Sequence, residues 1–114
     1  MHHHTDPKMH DCITLCWSCR DTCQSTLFNY CLQNGHNAPD HVRVMTDCIQ
    51  VCQAAADFMT RNSPLHAVMC RACAEICDAC ANSCETMDDT EMSRCAEICR
   101  RCATSCRKMA GGTI

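Results

Sequence analysis

Sixteen of the 114 residues are Cys, and their placement is regular. The spacing C-x3-C-x2-C-x3-C occurs three times without error: Cys12, Cys16, Cys19 and Cys23; Cys73, Cys77, Cys80 and Cys84; Cys95, Cys99, Cys102 and Cys106. Cys70 extends the second set backward on the same step toward His66, Cys48 and Cys52 form a shorter set, and Cys31 stands apart. Thiols in such number can pair as cystines, exchange electrons with other thiols, or hold soft metal ions as thiolates.

Spacing separates these chemistries. Residues three or four apart on a helix have Cβ atoms about 5–6 Å apart, too far for the roughly 3.5–4.5 Å of a disulfide. Bridges between helices would not require every stripe to repeat. A thiol–disulfide oxidoreductase is the enzyme-class rival, because C-x2-C recurs at Cys16/Cys19, Cys70/Cys73, Cys77/Cys80 and Cys99/Cys102. Such a motif ordinarily occurs once, at a helix start, whereas here it is repeated and mid-segment. The Cys12-x3-Cys16-x2-Cys19 match to cluster-binding radical enzymes recurs at Cys73 and Cys95, which marks it as a by-product of period. Plain packing by small apolar thiols explains one or two such residues; Ala, Val or Leu would fill sixteen positions without the redox liability.

Metal binding fits best. With a metal–sulfur bond of about 2.3 Å, as for zinc, a linear S–metal–S unit spans roughly 4.6 Å, which matches thiolates on neighbouring helical turns. Softness and charge select the ion. Cu(I) prefers thiolate and thioether donors, and one monovalent ion per thiolate leaves a buried array neutral. Zn(II) held by four thiolates leaves about −2 on every site, and the stripes carry no Lys or Arg to offset it. Uncompensated buried charge is costly. Multiple Cu(I) ions are therefore expected, with a zinc or other soft-metal protein, or a copper chaperone of one or two sites, as the alternatives.

The elements that position these thiols must be helices. At about 100° per residue the Cys steps stay within about 80° of arc, one narrow stripe per segment. Alternating steps of four and three average 3.5 residues, the period of a left-handed bundle seam. His41, Met45, Cys48, Cys52, Ala55 and Met59 keep that register on another segment, and Cys31 falls roughly 100° off the midline of the first. Outward positions are polar (Arg71, Asp78, Asn82, Arg94, Arg100, Arg107), so the stripes face inward. Asn34-Gly35, Asn62-Ser63-Pro64, Asp88-Asp89-Thr90 and Gly111-Gly112 divide the chain into helices near 7–33, 39–61, 64–86 and 89–109. Asp6-Pro7 and Ser63-Pro64 predict capped starts, and Asp88 with Glu91 a variant capping box. Connections this short predict an all-α, antiparallel up-down-up-down four-helix bundle with a Cys-lined core, as a single domain over 1–114 with flexible tails at 1–6 and 110–114. CAEICDACANSC at 73–84 and CAEICRRCATSC at 95–106 read as an internal repeat of one helical unit.

Composition agrees. Leu, Ile, Val and Phe number only 15, too few for an aliphatic core of ordinary density. A net charge of −3, with two Lys against eight Arg, offers no surface for nucleic acid. No apolar run reaches the roughly 18–20 residues that would span a membrane, and the opening lacks an export signal's apolar stretch. A cytoplasmic, reducing environment is expected.

At the ends of an antiparallel bundle, Met9, Met59, His66, Cys106 and Met109 gather on one side and Cys31, His41, Met45, Cys84, Met87 and Cys95 on the other. His41 and His66 can each add a nitrogen donor at a mouth, and Met45 a thioether. His10 and His36 read as solvent-facing, and Trp17 as a packing or interface residue on the outer shoulder of the first helix.

The Cys-striped helices, the CAEIC segments at 73–77 and 95–99, and the linker NGHNAPDHVRVMTDC at 34–48 resemble the bacterial copper storage proteins, specifically their cytosolic branch. The likeness covers roughly residues 9–110. It implies a four-helix bundle whose bore is filled by many Cu(I) ions bound mainly to Cys thiolates, a homotetramer, and storage or sequestration without substrate turnover. Copper donor or acceptor proteins are the partners it suggests. The second helix carries fewer thiols, with Ala55 and Met59 on its stripe, so cluster arrangement along that wall does not carry over from the family.

Overall fold

The structure, a computed structural model, describes residues 6–111. Four helices account for most of them: α1 (Pro7–Thr26), α2 (Pro39–Thr60), α3 (His66–Glu85) and α4 (Thr90–Met109), with a π-helical turn over Leu27–Cys31 continuing α1. α1 and α3 each pack against both α2 and α4, so the four form a square antiparallel bundle. Short connections between consecutive helices favour this up-down-up-down order.

Local chemistry sets the ends. Asp6 accepts from the Lys8 backbone amide at 2.7 Å, with Pro7 at the first helical position, as the sequence predicts. Residues 1–5 and 112–114 of the expected tails lie outside the described residues. Asp6 caps a helix and Ala110 is buried, so the ordered bundle reaches further than expected. α2 closes with Asn62 in the left-handed region (φ 52°), and the Ser63 amide donates to the Phe58 carbonyl at 2.9 Å, which satisfies an orphan acceptor of the last turn.

Two expected starts shift. α3 begins at His66 because Ser63 and Pro64 form a turn in which the Ser63 hydroxyl accepts from the Leu65 amide at 3.1 Å. α4 is capped by Asp89, one residue beyond the predicted Asp88: its Oδ1 accepts from the Met92 amide at 2.8 Å. Asp89 Oδ2 also accepts from Tyr30 Oη at 3.0 Å and lies 2.6 Å from His36 Nε2. His36 is therefore half-buried and paired, not solvent-facing as expected. These bonds hold the Asp89 carboxyl below the usual carboxylate range, the Met92 amide contributing most.

The repeat has a structural counterpart. Asp78 and Arg100 follow Cys77 and Cys99 at equivalent positions, and they meet across the α3–α4 seam at 3.0 Å. Arg100 also reaches Glu85 at 2.8 Å and Asn82 at 2.6 Å, and Arg107 contacts Asp78. The polar clasp lies outside the bundle and leaves the interior to sulfur. Trp17 is half-buried on the outer shoulder of α1, with the Arg20 guanidinium 5.6 Å from its ring centroid.

Candidate metal centre

All sixteen Cys are fully buried and carry free thiols. Ala56, Ala74, Ala81 and Ala103 beside the stripes let the helices approach closely, so that sulfur atoms from neighbouring helices come together. Cys12 and Cys16 on α1 each lie 3.6 Å from Cys106 on α4 (Sγ to Sγ). Cys23 lies 3.6 Å from both Cys95 and Cys99, and Cys52 lies 3.6 Å from Cys77. Cys73 and Cys77, at 3.7 Å, are one helical turn apart on α3. The sequence reading placed ion seats between neighbouring turns of a single helix. The structure makes most of its short thiol pairs between helices instead, because inward side chains of facing stripes converge on the axis.

Four groups of four thiols have all their Sγ atoms within 4.8 Å of one another: Cys16, Cys73, Cys102 and Cys106; Cys52, Cys73, Cys77 and Cys102; Cys19, Cys48, Cys52 and Cys77; and Cys19, Cys23, Cys48 and Cys99. Each group in this order shares two thiols with the next. The bore is thus a continuous ladder, not a row of separate cages. At most two of the four groups can be occupied at once without sharing a thiol. Tetrahedral Zn(II) in unshared sites would leave the other thiols of the ladder idle, whereas bridging thiolates with low-coordinate monovalent ions use all of them. Cys80 and Cys84 extend the ladder beside Cys95, and Cys70 beside Cys12 and Cys106.

Cys31 is where the sequence reading missed. An unbroken α-helix would turn it about 100° away from the stripe. The π-helical turn, in which the Leu32 amide donates to the Leu27 carbonyl at 3.1 Å, absorbs one extra residue and rotates Cys31 into the bore. There its Sγ lies 3.6 Å from His41 Nε2, 3.8 Å from Met45 Sδ and 3.5 Å from Met92 Sδ. Burial pushes the Cys31 thiol up to about 11. Burial also lowers the His41 pKa, so its ring is neutral near pH 7, and Nδ1 is engaged by Ser83 Oγ at 2.7 Å. A neutral imidazole fixed through one nitrogen presents the other as a donor. Met92 was not singled out from sequence, although it lies three residues before Cys95 and continues that stripe.

At the opposite end Met59 is fully buried, while Met9 and Met109 are half-buried. His66 is half-buried and lies outside hydrogen-bonding distance of any thiol among the described residues; its Nδ1 donates to the Ser63 carbonyl at 3.0 Å. His10 is exposed, as predicted.

Apart from His41, the described core contains no buried charged or strongly polar side chain. A lone thiolate there would be poorly solvated. A cation arriving with each deprotonation removes that cost. Fold and site together define a thiol-lined helical bundle built to take up several soft cations.

The comparisons agree with this class. The family model described as copper storage protein matches residues 4–111, and the chain belongs to that family. Among solved structures, a Cu(I)-bound copper storage protein, BsCsp3, is 32% identical with a TM-score of 0.85, covering 91% of this chain and 99% of its own. The metal-free copper storage protein 3 of Bacillus subtilis is 33% identical with a TM-score of 0.83, covering 90% and 98%. The protein Nmul_A1745 of Nitrosospira multiformis is 44% identical with a TM-score of 0.87, covering 93% and 97%. No curated protein matches the chain.

Proposed function

We propose that the sixteen Cys are the ligands of a Cu(I) store, roughly one ion per thiolate, with Cys31, His41 and Met45 forming a mixed nitrogen and sulfur rim at one mouth and His66 standing near the other. The observation that carries this reading is the ladder of four-thiol groups sharing thiols along the bore. A chaperone needs one or two accessible seats; a column of buried, mutually bridging thiols suits retention. The cargo is Cu(I), and nothing is turned over: the chemistry is exchange of S–H protons for metal. Sixteen free thiols remain free only in a reducing compartment, which supports a cytoplasmic reserve or detoxification role. The family resemblance supports a homotetramer built from single-domain chains, filled or emptied by copper donor or acceptor proteins.

Metal analysis of the protein isolated anaerobically from copper-fed cells tests the reading. Storage predicts many copper ions per chain and little zinc. One or two copper ions, or zinc as the dominant metal, would replace it with the chaperone or zinc alternative.

A further inference from the structure

The α1–α4 seam opens outward, at the end of the bundle where Cys12 and Cys106 terminate the bore, into a groove of about 600 Å3 lined by Lys8, Leu15, Arg101, Ser105, Lys108 and Met109. Arg100, Thr104 and Asp11 complete its wall. Arg100 is committed to Asp78 and Glu85, but Lys8, Arg101 and Lys108 are exposed and make no ion pair among the described residues. Three unpaired cations thus face one acid. Lys108 is accounted for by the C-terminal dipole of α4. Arg101 lies two turns too early for that, and Lys8 sits in the first turn of α1, where the dipole disfavours a cation. A local rule broken without a local gain points to function.

The inner wall is soft and polar. Half-buried Ser105, next to Cys106 in the chain, and Met109 line this wall, and Cys106 Sγ lies 3.6 Å from that of Cys12. At the opposite mouth Asp40 pairs with Arg43, Glu91 with Arg94 and Asp89 with His36, so acids and cations there are matched. Anionic cargo therefore meets its favourable potential at the Cys12/Cys106 end, where the cations lining the groove lack acidic partners.

We propose that this groove docks an anionic, carboxylate-bearing low-molecular-mass thiol that carries Cu(I), and passes its ion to Cys12 and Cys106. The inference rests on the copper-storage reading and adds the class of donor and its point of entry. A volume near 600 Å3 matches a small-molecule site, not the footprint of a folded partner. In the transfer step the two bonds from Cu(I) to carrier sulfur break as two bonds to Cys12 and Cys106 Sγ form. The two Cys protons leave on the carrier thiols, and copper stays monovalent throughout.

Anaerobic stopped-flow loading tests this with two carriers of like thiol chemistry and opposite charge, Cu(I)–glutathione and Cu(I)–cysteamine, on wild type and the triple variant K8Q/R101Q/K108Q. The expected result is loading from Cu(I)–glutathione about tenfold slower in the variant, an effect that shrinks as salt rises, with loading from Cu(I)–cysteamine not slowed. Final capacity should match wild type. Equal effects of the variant on both carriers, or none on either, would overturn the groove. A wild-type protein that loads from neither carrier would instead overturn the storage reading on which it rests.

Discussion

Cys31 Sγ sits 3.6 Å from His41 Nε2 only because α1 takes one π-helical turn before it ends. That turn converts eight residues from Cys23 to Cys31 into the angular equivalent of seven, the C-x3-C-x2-C phase used elsewhere in the chain. Deleting Asn29, exposed within the turn, should therefore regularise the helix and keep the thiol buried. Inserting one Ala at the same place should rotate it toward solvent. Labelling of the metal-free protein with a thiol reagent under native conditions separates the two: the deletion stays as protected as wild type, whereas the insertion exposes one fast-reacting thiol. Equal protection in both variants would remove the phase argument.

His41 predicts a pH dependence with a definite sign. Its folded pKa lies below the ordinary value of 6.5, so the unfolded chain binds more protons in the interval between the two. Its contribution to stability is complete above about pH 6.5 and is lost as pH falls through that value toward the folded pKa. The metal-free wild type should lose several degrees more in melting temperature between pH 7 and 5 than His41→Gln, which can still bond Ser83 but does not titrate. Parallel melting profiles of the two proteins would contradict this.

Copper loading should acidify the medium. The Cys31 thiol, near 11, is protonated at neutral pH, and the same burial opposes free thiolates along the bore. Each Cu(I) that forms thiolate bonds must expel protons, about one per ion when metal and thiolates are equal in number. A pH-stat run alongside an anaerobic titration reads this directly. Binding without proton release would mean that the thiols are not the ligands.

The clasp on the α3–α4 seam should matter for folding and not for copper. Arg100 is 39% exposed in its side chain, so solvent screens its pairs with Asp78 and Glu85. Arg100→Ala is expected to cost about 1 kcal/mol of metal-free stability, less at high salt, and to leave the copper stoichiometry unchanged. A loss of capacity would show that the outer clasp sets the geometry of the bore.

Much of this molecule was legible because the periodic residue is also the chemical one. Cys73 to Cys84 and Cys95 to Cys106 carried helix and inward face in a single pattern. What escaped was what local spacing does not encode. The π-helical turn at Leu27–Cys31 overrides the 3.6-residue period that placed Cys31 off the stripe. Met92 carried a readable phase three residues before Cys95, but a single Met ahead of a Cys stripe does not mark itself as part of it. The pairing of His36 with Asp89 and the convergence of thiols from different helices depend on tertiary approach, which only the assembled bundle supplies. The start of α3 moved because Ser63 spends its hydroxyl on a turn before the helix begins.

An anaerobic Cu(I) titration against a competing chelator, with thiols counted on the same sample, tests the central claim most directly. Sulfur replacing the aliphatic seam of a bundle predicts uptake near one ion for each of the sixteen Cys, all thiols becoming unreactive as it proceeds, and a rise in melting temperature with loading. Saturation at one or two ions, with the remaining thiols still free, would contradict it.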